Sequence, residues 1–364
     1  MWIATRPAAL VAQGSASSGA MTFLPRRLLA GTLLVAAAAM AQTPPPLIER
    51  IEVERVIIDA RVTNTAGEPI LGLQRGDFRV RLDGTPAQIE SVDWISESHD
   101  VEQFENAAHV PNGSLTEPQK RGRLFVIFVQ TDFGRAAPRL QGQMAVNAAL
   151  DKWLAFLEPE DQTAVFSFDS HLKFRLDFSG DTAAVERAVK ESLLIGEPPP
   201  PAPSKMWALS MLLDRQAMHD AARPEIALRI VGEALAKVPG AKSMIFICWG
   251  LGHVSNDVAF NDYGYENALL ALQRARVTVF SIDMVGGHDL AYGLANIAGD
   301  TGGFYATSTR FPAIAIHRLH HTLGGHYEIE VIKPQLKQRG FHQIAVDVPT
   351  QRHVTILARN VFGD

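Results

Sequence analysis

The chain has 364 residues, 34 Lys plus Arg against 39 Asp plus Glu for a net charge of −5, and a single cysteine. That length leaves room for about two domains, and a slightly acidic chain without long basic runs is a poor binder of nucleic acid or of an anionic membrane. One cysteine excludes a disulfide framework and any cysteine-built zinc or iron–sulfur cluster.

The first residues read as a leader. Arg26-Arg27 precedes a short apolar stretch, Leu28 to Met40, and Ala39-Met40-Ala41 offers a small-x-small cleavage site before Gln42. A secretory signal peptide cleaved after Ala41 is expected, and with it a secreted or periplasmic mature chain. The apolar stretch falls short of the ~20 residues a spanning helix needs, so no transmembrane anchor is expected in the mature chain. Met21 opens this leader and competes with Met1 as the start.

Beyond the proline tract at 44–46, Val56, Ile58, Ala60 and Val62 alternate with Arg55, Asp59 and Arg61, the period of a strand with one face buried and the other solvated. Phe78 to Leu82 alternates again, and Asp83-Gly84 predicts a hairpin into a strand that starts at Ala87 and Ile89. Residues 48–97 form a β segment on this reading, and the polar stretch 98–121 is a linker.

From 122 the pattern changes. Leu124 to Val129 is a continuous apolar run, the mark of a strand covered on both faces. A helix follows with Leu140, Met144, Leu150, Trp153, Leu154 and Leu157 as its buried stripe. Then come a strand at 163–168, an antiparallel edge strand at 172–178, a helix capped by Asp181, and a proline-rich loop at 198–201. Helices are expected at 206–220 and 225–237, a strand at 243–249, a helix at 264–274, a strand at 277–282, a helix at 289–298, a short strand at 303–306, and a helix from Pro312. This α/β alternation predicts a doubly wound, mostly parallel sheet over 122–325, Rossmann-like in plan. From His326 the period returns to two, and residues 326–364 are expected to pair with 48–97 in a small β-sandwich.

The residues Val62-Thr63-Asn64 to Gly67, Leu73 to Phe78, Ala164 to Leu172, Leu294 to Ala298, Thr301-Gly302-Gly303 and the tail from Tyr327 together resemble the von Willebrand factor A (VWA) related family described from Acidobacteria. The resemblance implies a VWA-like domain that binds a protein partner through a metal-ion-dependent adhesion site at the carboxyl ends of its strands. Its ligand motifs would fall on Gln130-Thr131-Asp132-Phe133-Gly134, on Ser204, and on Cys248-Trp249-Gly250. Mg²⁺ wants hard oxygen ligands, usually with a carboxylate among them. Gln130 is neutral, Gly134 has no side chain and Trp249 offers no oxygen, so the adhesion site is expected to be degenerate.

The ligand face expected at the top of the sheet comprises Gln130, Asp132, Phe133, Gly134, Ser204, Trp249, His253 and Asp283. No metal or other cofactor is expected there, with Asp132, Ser204, His253 and Asp283 as the residues a divalent ion would find, and Asp257, His288 and Asp289 close in sequence. Trp249 either presents an aromatic contact surface with Phe133, Tyr263 and Tyr265, or folds down over the vacated site. His317 and His321 lie one turn apart on the last helix, beside His320 and followed by His326, without the Glu of a hydrolytic H-E-x-x-H frame. Cys248, at the end of a buried strand, reads as inert packing. With no nucleophile elbow, Walker loop or dinucleotide fingerprint in the chain, the expected function is a non-enzymatic, exported protein-binding module. The alternatives are a metal-dependent enzyme with a non-standard His and Asp site, and a structural envelope subunit that makes its contacts through the β-sandwich.

Overall fold

A computed structural model of the protein describes residues 54–97, 122–131, 136–155, 157–193, 197–205, 208–256, 258–261, 263–308, 312–336 and 339–363. The expected leader at 1–41 and the linker at 98–121 lie outside the described residues. The N-terminal strands are β1 (Arg55–Thr63), β2 (Arg79–Leu82), β3 (Thr85–Pro86) and β4 (Gln88–Ser96). Asp83 and Gly84, with φ of 49° and 76°, turn β2 into β3, the conformation that a two-residue hairpin demands and that Gly adopts without strain.

The α/β elements follow. They are β5 (Leu124–Gln130), α1 (Ala136–Leu154), β6 (Gln162–Phe168), β7 (Leu172–Ser179), α2 (Thr182–Ser192), α3 (Arg215–His219), α4 (Pro224–Leu235), β8 (Lys242–Cys248), β9 (His253–Ser255), β10 (Val258–Phe260), α5 (Tyr265–Arg274), β11 (Val277–Asp283), α6 (Ala291–Thr301), β12 (Tyr305–Thr307) and α7 (Pro312–Thr322). Caps set several boundaries: the Asp181 carboxylate accepts from the Ala183 and Ala184 amides, and Pro224 stands at the start of α4, where no amide is needed. The chain closes with β13 (Gly325–Ile332), β14 (Phe341–Asp347), β15 (Thr355–Leu357) and β16 (Val361–Gly363).

Among the described residues the central sheet runs β12-β11-β8-β5-β6-β7, all parallel except the edge strand β7. Alternate residues of its strands feed two cores. Phe128, Phe166 and Phe246 pack with α4, α5 and α6 on one face. Phe125, Ile127, Val165, Ile245 and Phe280 pack with α1, α2 and α7 on the other. The terminal strands form two four-stranded sheets, β15-β1-β13-β4 and β16-β14-β2-β3. Val56, Ile58 and Ala60 of β1, Val80 and Leu82 of β2, and Tyr327 and Ile329 of β13 share a third core. No helix among the described residues is long and apolar enough to cross a membrane.

Several elements depart from the sequence expectation. Of the stripe expected on α1, Leu150 and Leu154 are buried in the core, whereas Leu140 and Met144 are 55% and 71% exposed. The expected helix at 206–220 is reduced to a 3-10 turn at Leu209–Met211 and the short α3. The β9–β10 hairpin and the strand β16 had no periodic signal, being three residues per strand.

The polar face of β1 is the largest departure. Arg61 is buried and Asp59 nearly so, because this face lies against the α/β half and not against water. Arg61 reaches the Thr278 hydroxyl at 3.3 Å and lies over the Phe280 ring of β11, while Asp59 pairs with Arg276 at 2.6 Å.

Candidate functional site

In an open parallel sheet the binding crevice forms outside the carboxyl ends of the strands, where the strand order reverses. Here β6 leads away from β5 on one side and β8 returns on the other, which places the crevice between the ends of β5 and β8. Gln130 ends β5 and Trp249 follows β8.

The chain closes this crevice with its own groups. The Gln130 Oε1 accepts from the Trp249 amide at 3.4 Å, and both residues are buried. Trp249, 5% exposed, belongs to the core cluster with Ile245, Ile247 and Phe280. Of the two expected roles for Trp249, the covering one is the one adopted: the indole packs downward and offers no contact surface. Thr131 continues the seal, its amide and hydroxyl both donating to the Phe168 carbonyl at 2.5 and 3.2 Å. Asp132, Phe133, Gly134 and Asp257 lie outside the described residues.

Asp283 ends β11 without exposed surface, and its oxygens are committed. It accepts from the Val285 and Gly286 amides at 2.8 and 3.0 Å and from the Tyr305 hydroxyl at 2.7 Å, with His288 Nε2 at 3.1 Å. Burial pushes this carboxyl up, but those donors outweigh it and hold it below the usual range. Asp283 therefore fixes the loop after β11 and does not reach outward as a ligand. Ser204 is half-buried, tied through its amide to Asp177 at 3.2 Å. Asp177 also accepts from the Leu209 and Ser210 amides, so one buried carboxylate of β7 ties down the chain on the far side of the proline-rich stretch. His253 is exposed on β9, its ring stacked on Phe260 at 5.7 Å. The expected ligand face is thus divided: Gln130, Trp249 and Asp283 are interior, and His253 is exposed on a separate hairpin.

That hairpin carries what the sheet top lacks. Val254, Val258 and Phe260 are all exposed, and Tyr263, just beyond it, is 94% exposed. Tyr265 is buried, its hydroxyl donating to Asp300 at 2.7 Å, so only Tyr263 of the expected tyrosine pair faces outward. The loop below is held by buried Glu225, which accepts from the Gly252 amide at 2.8 Å. Cys248 is fully buried, with the Phe246 carbonyl 3.2 Å from its sulfur.

A polar cluster follows β6. Asp169 and Lys173, both buried, pair at 2.6 Å. Ser170 Oγ lies 3.1 Å from His171 Nδ1, and His171 Nε2 lies 2.8 Å from Glu197. The order Ser, His, Glu has the connectivity of a nucleophile, base and orienting acid. However, the Ser170 hydroxyl has a second acceptor, Asp169 Oδ1, at the same 3.1 Å, which competes with His171 for its single proton. The cluster is a salt-bridged cap on the strand end.

A second group was missed at the sequence level. His326 is buried on β13, with Nδ1 2.5 Å from Glu97 and Nε2 3.5 Å from Asp59, and Arg61 lies 3.5 Å from Glu97. Burial pushes the Glu97 carboxyl up, but Arg61 and His326 overcome it and bring it down to about 2. Asp59, His326 and Glu328 bring ligand atoms within 4.8 Å of one another. Arg276 already pairs with both Asp59 and Glu328, so the charge a metal would neutralise is met by protein cations. The available signal was Asp59 and Arg61 set among apolar residues of a strand, but period alone does not say whether water or protein covers them.

No family model matches the sequence, and no curated protein matches it. Among solved structures, a von Willebrand factor type A protein from Catenulispora acidiphila is 11% identical, with a TM-score of 0.40 over 86% of this chain and 75% of that one. An aerotolerance-related membrane protein from Bacteroides fragilis is 10% identical, with a TM-score of 0.37 over 55% of this chain and 98% of that one. The PilB minor pilin from Streptococcus sanguinis is 14% identical, with a TM-score of 0.33 over 56% of this chain and 60% of the pilin. At such scores these likenesses decide neither family nor function.

Proposed function

We propose that this chain is an exported, non-enzymatic binding module of adhesion or assembly type, which engages a protein partner at the top of its central sheet without a standard Mg²⁺ site. The observation that carries this reading is the closed crevice. Where a VWA-like module would hold its ion, Gln130 and Trp249 bond to each other and are buried. Beside it the β9–β10 hairpin exposes Val254, Val258 and Phe260, an apolar surface of the kind that interfaces use. Export rests on the leader pattern at 21–41.

Pull-down from envelope extract with wild type and with a Val258→Asp, Phe260→Asp double variant tests the contact surface. The partner captured by wild type is expected to be lost from the variant, and its retention would show that the hairpin is not the docking element. Calorimetry with Mg²⁺ is expected to give no micromolar binding. Tight binding abolished by Asp132→Ala would overturn the metal-free part.

A further inference from the structure

A histidine pair on α7, apart from the top of the sheet, has the geometry of a chelate. His317 and His321 stand four residues apart, hence on the same face of the helix. Their rings lie 4.3 Å apart between centroids and are inclined by 56°, with the two Nε2 atoms 3.1 Å from each other. Two imidazole nitrogens each about 2.0–2.1 Å from one ion, at an angle between square and tetrahedral, are separated by about 2.9–3.4 Å. The observed spacing falls inside that range. Two neutral imidazoles facing each other through Nε2 need either a shared proton or an ion between their lone pairs.

The surroundings favour an ion. His317 lines a groove of about 430 Å³ between α7 and the turn after β1, together with Asn64, Thr65, Gly67, Arg318 and Thr322. Gly67 passes so close that a Cβ built on it would lie 3.7 Å from the His321 Cβ. The turn is tied internally, the Glu68 carboxylate accepting from Asn64 at 2.9 Å. Two imidazoles with room for water suit Zn²⁺, Ni²⁺ or Cu²⁺, and not Mg²⁺ or Ca²⁺, which prefer oxygen.

We propose that His317 and His321 form a chelating site for a divalent transition-metal ion on the face of α7 that carries both rings. The site owes nothing to the proposed protein-binding function and stands if that reading fails.

Equilibrium dialysis of tag-free protein against Zn²⁺ and Ni²⁺ at pH 7.5 tests it, with His317→Ala, His321→Ala and, as a control on the same helix, His320→Ala. The expected result is one ion per chain in wild type and in the control, with affinity about tenfold or more weaker in each of the other two. Zn²⁺ should also raise the thermal unfolding midpoint of wild type and leave that of the His317→Ala, His321→Ala double variant unmoved. The histidines of the pair lie toward the solvent side of the helix, so circular dichroism should report an unchanged fold in every variant. Saturable binding absent from folded wild type, or equal in wild type and the double variant, would overturn the proposal, as would loss of binding in the His320→Ala control alone.

Discussion

At the residue scale the charged groups behind β1 matter most. Glu97 has its carboxyl held down to about 2 against an ordinary value of 4.5, with Arg61 and His326 overcoming the cost of burial. The folded state therefore holds this proton more weakly than the unfolded chain, so the stabilisation is present in full above about pH 4.5 and disappears progressively toward pH 2. The amount is on the order of 3 kcal/mol. Urea unfolding measured across that window should show a steep loss in wild type and a shallower one in Glu97→Gln. At neutral pH the same substitution should cost about 3 kcal/mol, because Arg61 and His326 would keep a buried position without their counter-charge. An identical pH slope in the two proteins would mean that Glu97 is not part of the acid response.

At the element scale, the strands and helices of the α/β half were legible because their signals are local. Continuous apolar runs at Leu124–Val129 and Met244–Cys248 mark strands covered on both faces. Ile316 and Leu319 of α7, and Leu323 just beyond it, recur at helical spacing and are buried. Contacts between elements left no such signal. Gly232 of α4 packs against α5 so closely that a Cβ there would lie 2.8 Å from the Ala271 carbonyl carbon and 2.9 Å from the Leu272 amide nitrogen. Both are backbone atoms and cannot swing aside. Gly232→Ala gains about 1 kcal/mol of helix propensity but forces two packed helices apart at a cost of roughly 1–3 kcal/mol. The net expectation is a lower thermal midpoint, and a raised one would show that α4 and α5 separate easily.

For the whole molecule, the two halves meet across a charged seam in which Arg276 holds Asp59 of β1 and Glu328 of β13. The seam joins the start of β11 to a strand more than 200 residues earlier in the chain. A double-mutant cycle with Asp59→Asn and Arg276→Met should return a coupling of about 1–2 kcal/mol, and the variants should still unfold in one transition. Additive effects would show that the halves are joined by apolar contact alone.

The sequence by itself supplied the leader pattern, the order of strands and helices, the β character of both ends and the presence of Gln130 and Trp249 at the two strand ends. All of these follow from periodicity and side-chain chemistry read over a few neighbouring residues. Only the tertiary structure decided that Trp249 packs inward, that Asp283 has no free oxygen, that the polar face of β1 meets protein, and that His317 and His321 aim their nitrogens at each other. A period of two says which residues share a face. What covers that face depends on groups far away in the chain, and no local pattern carries that information.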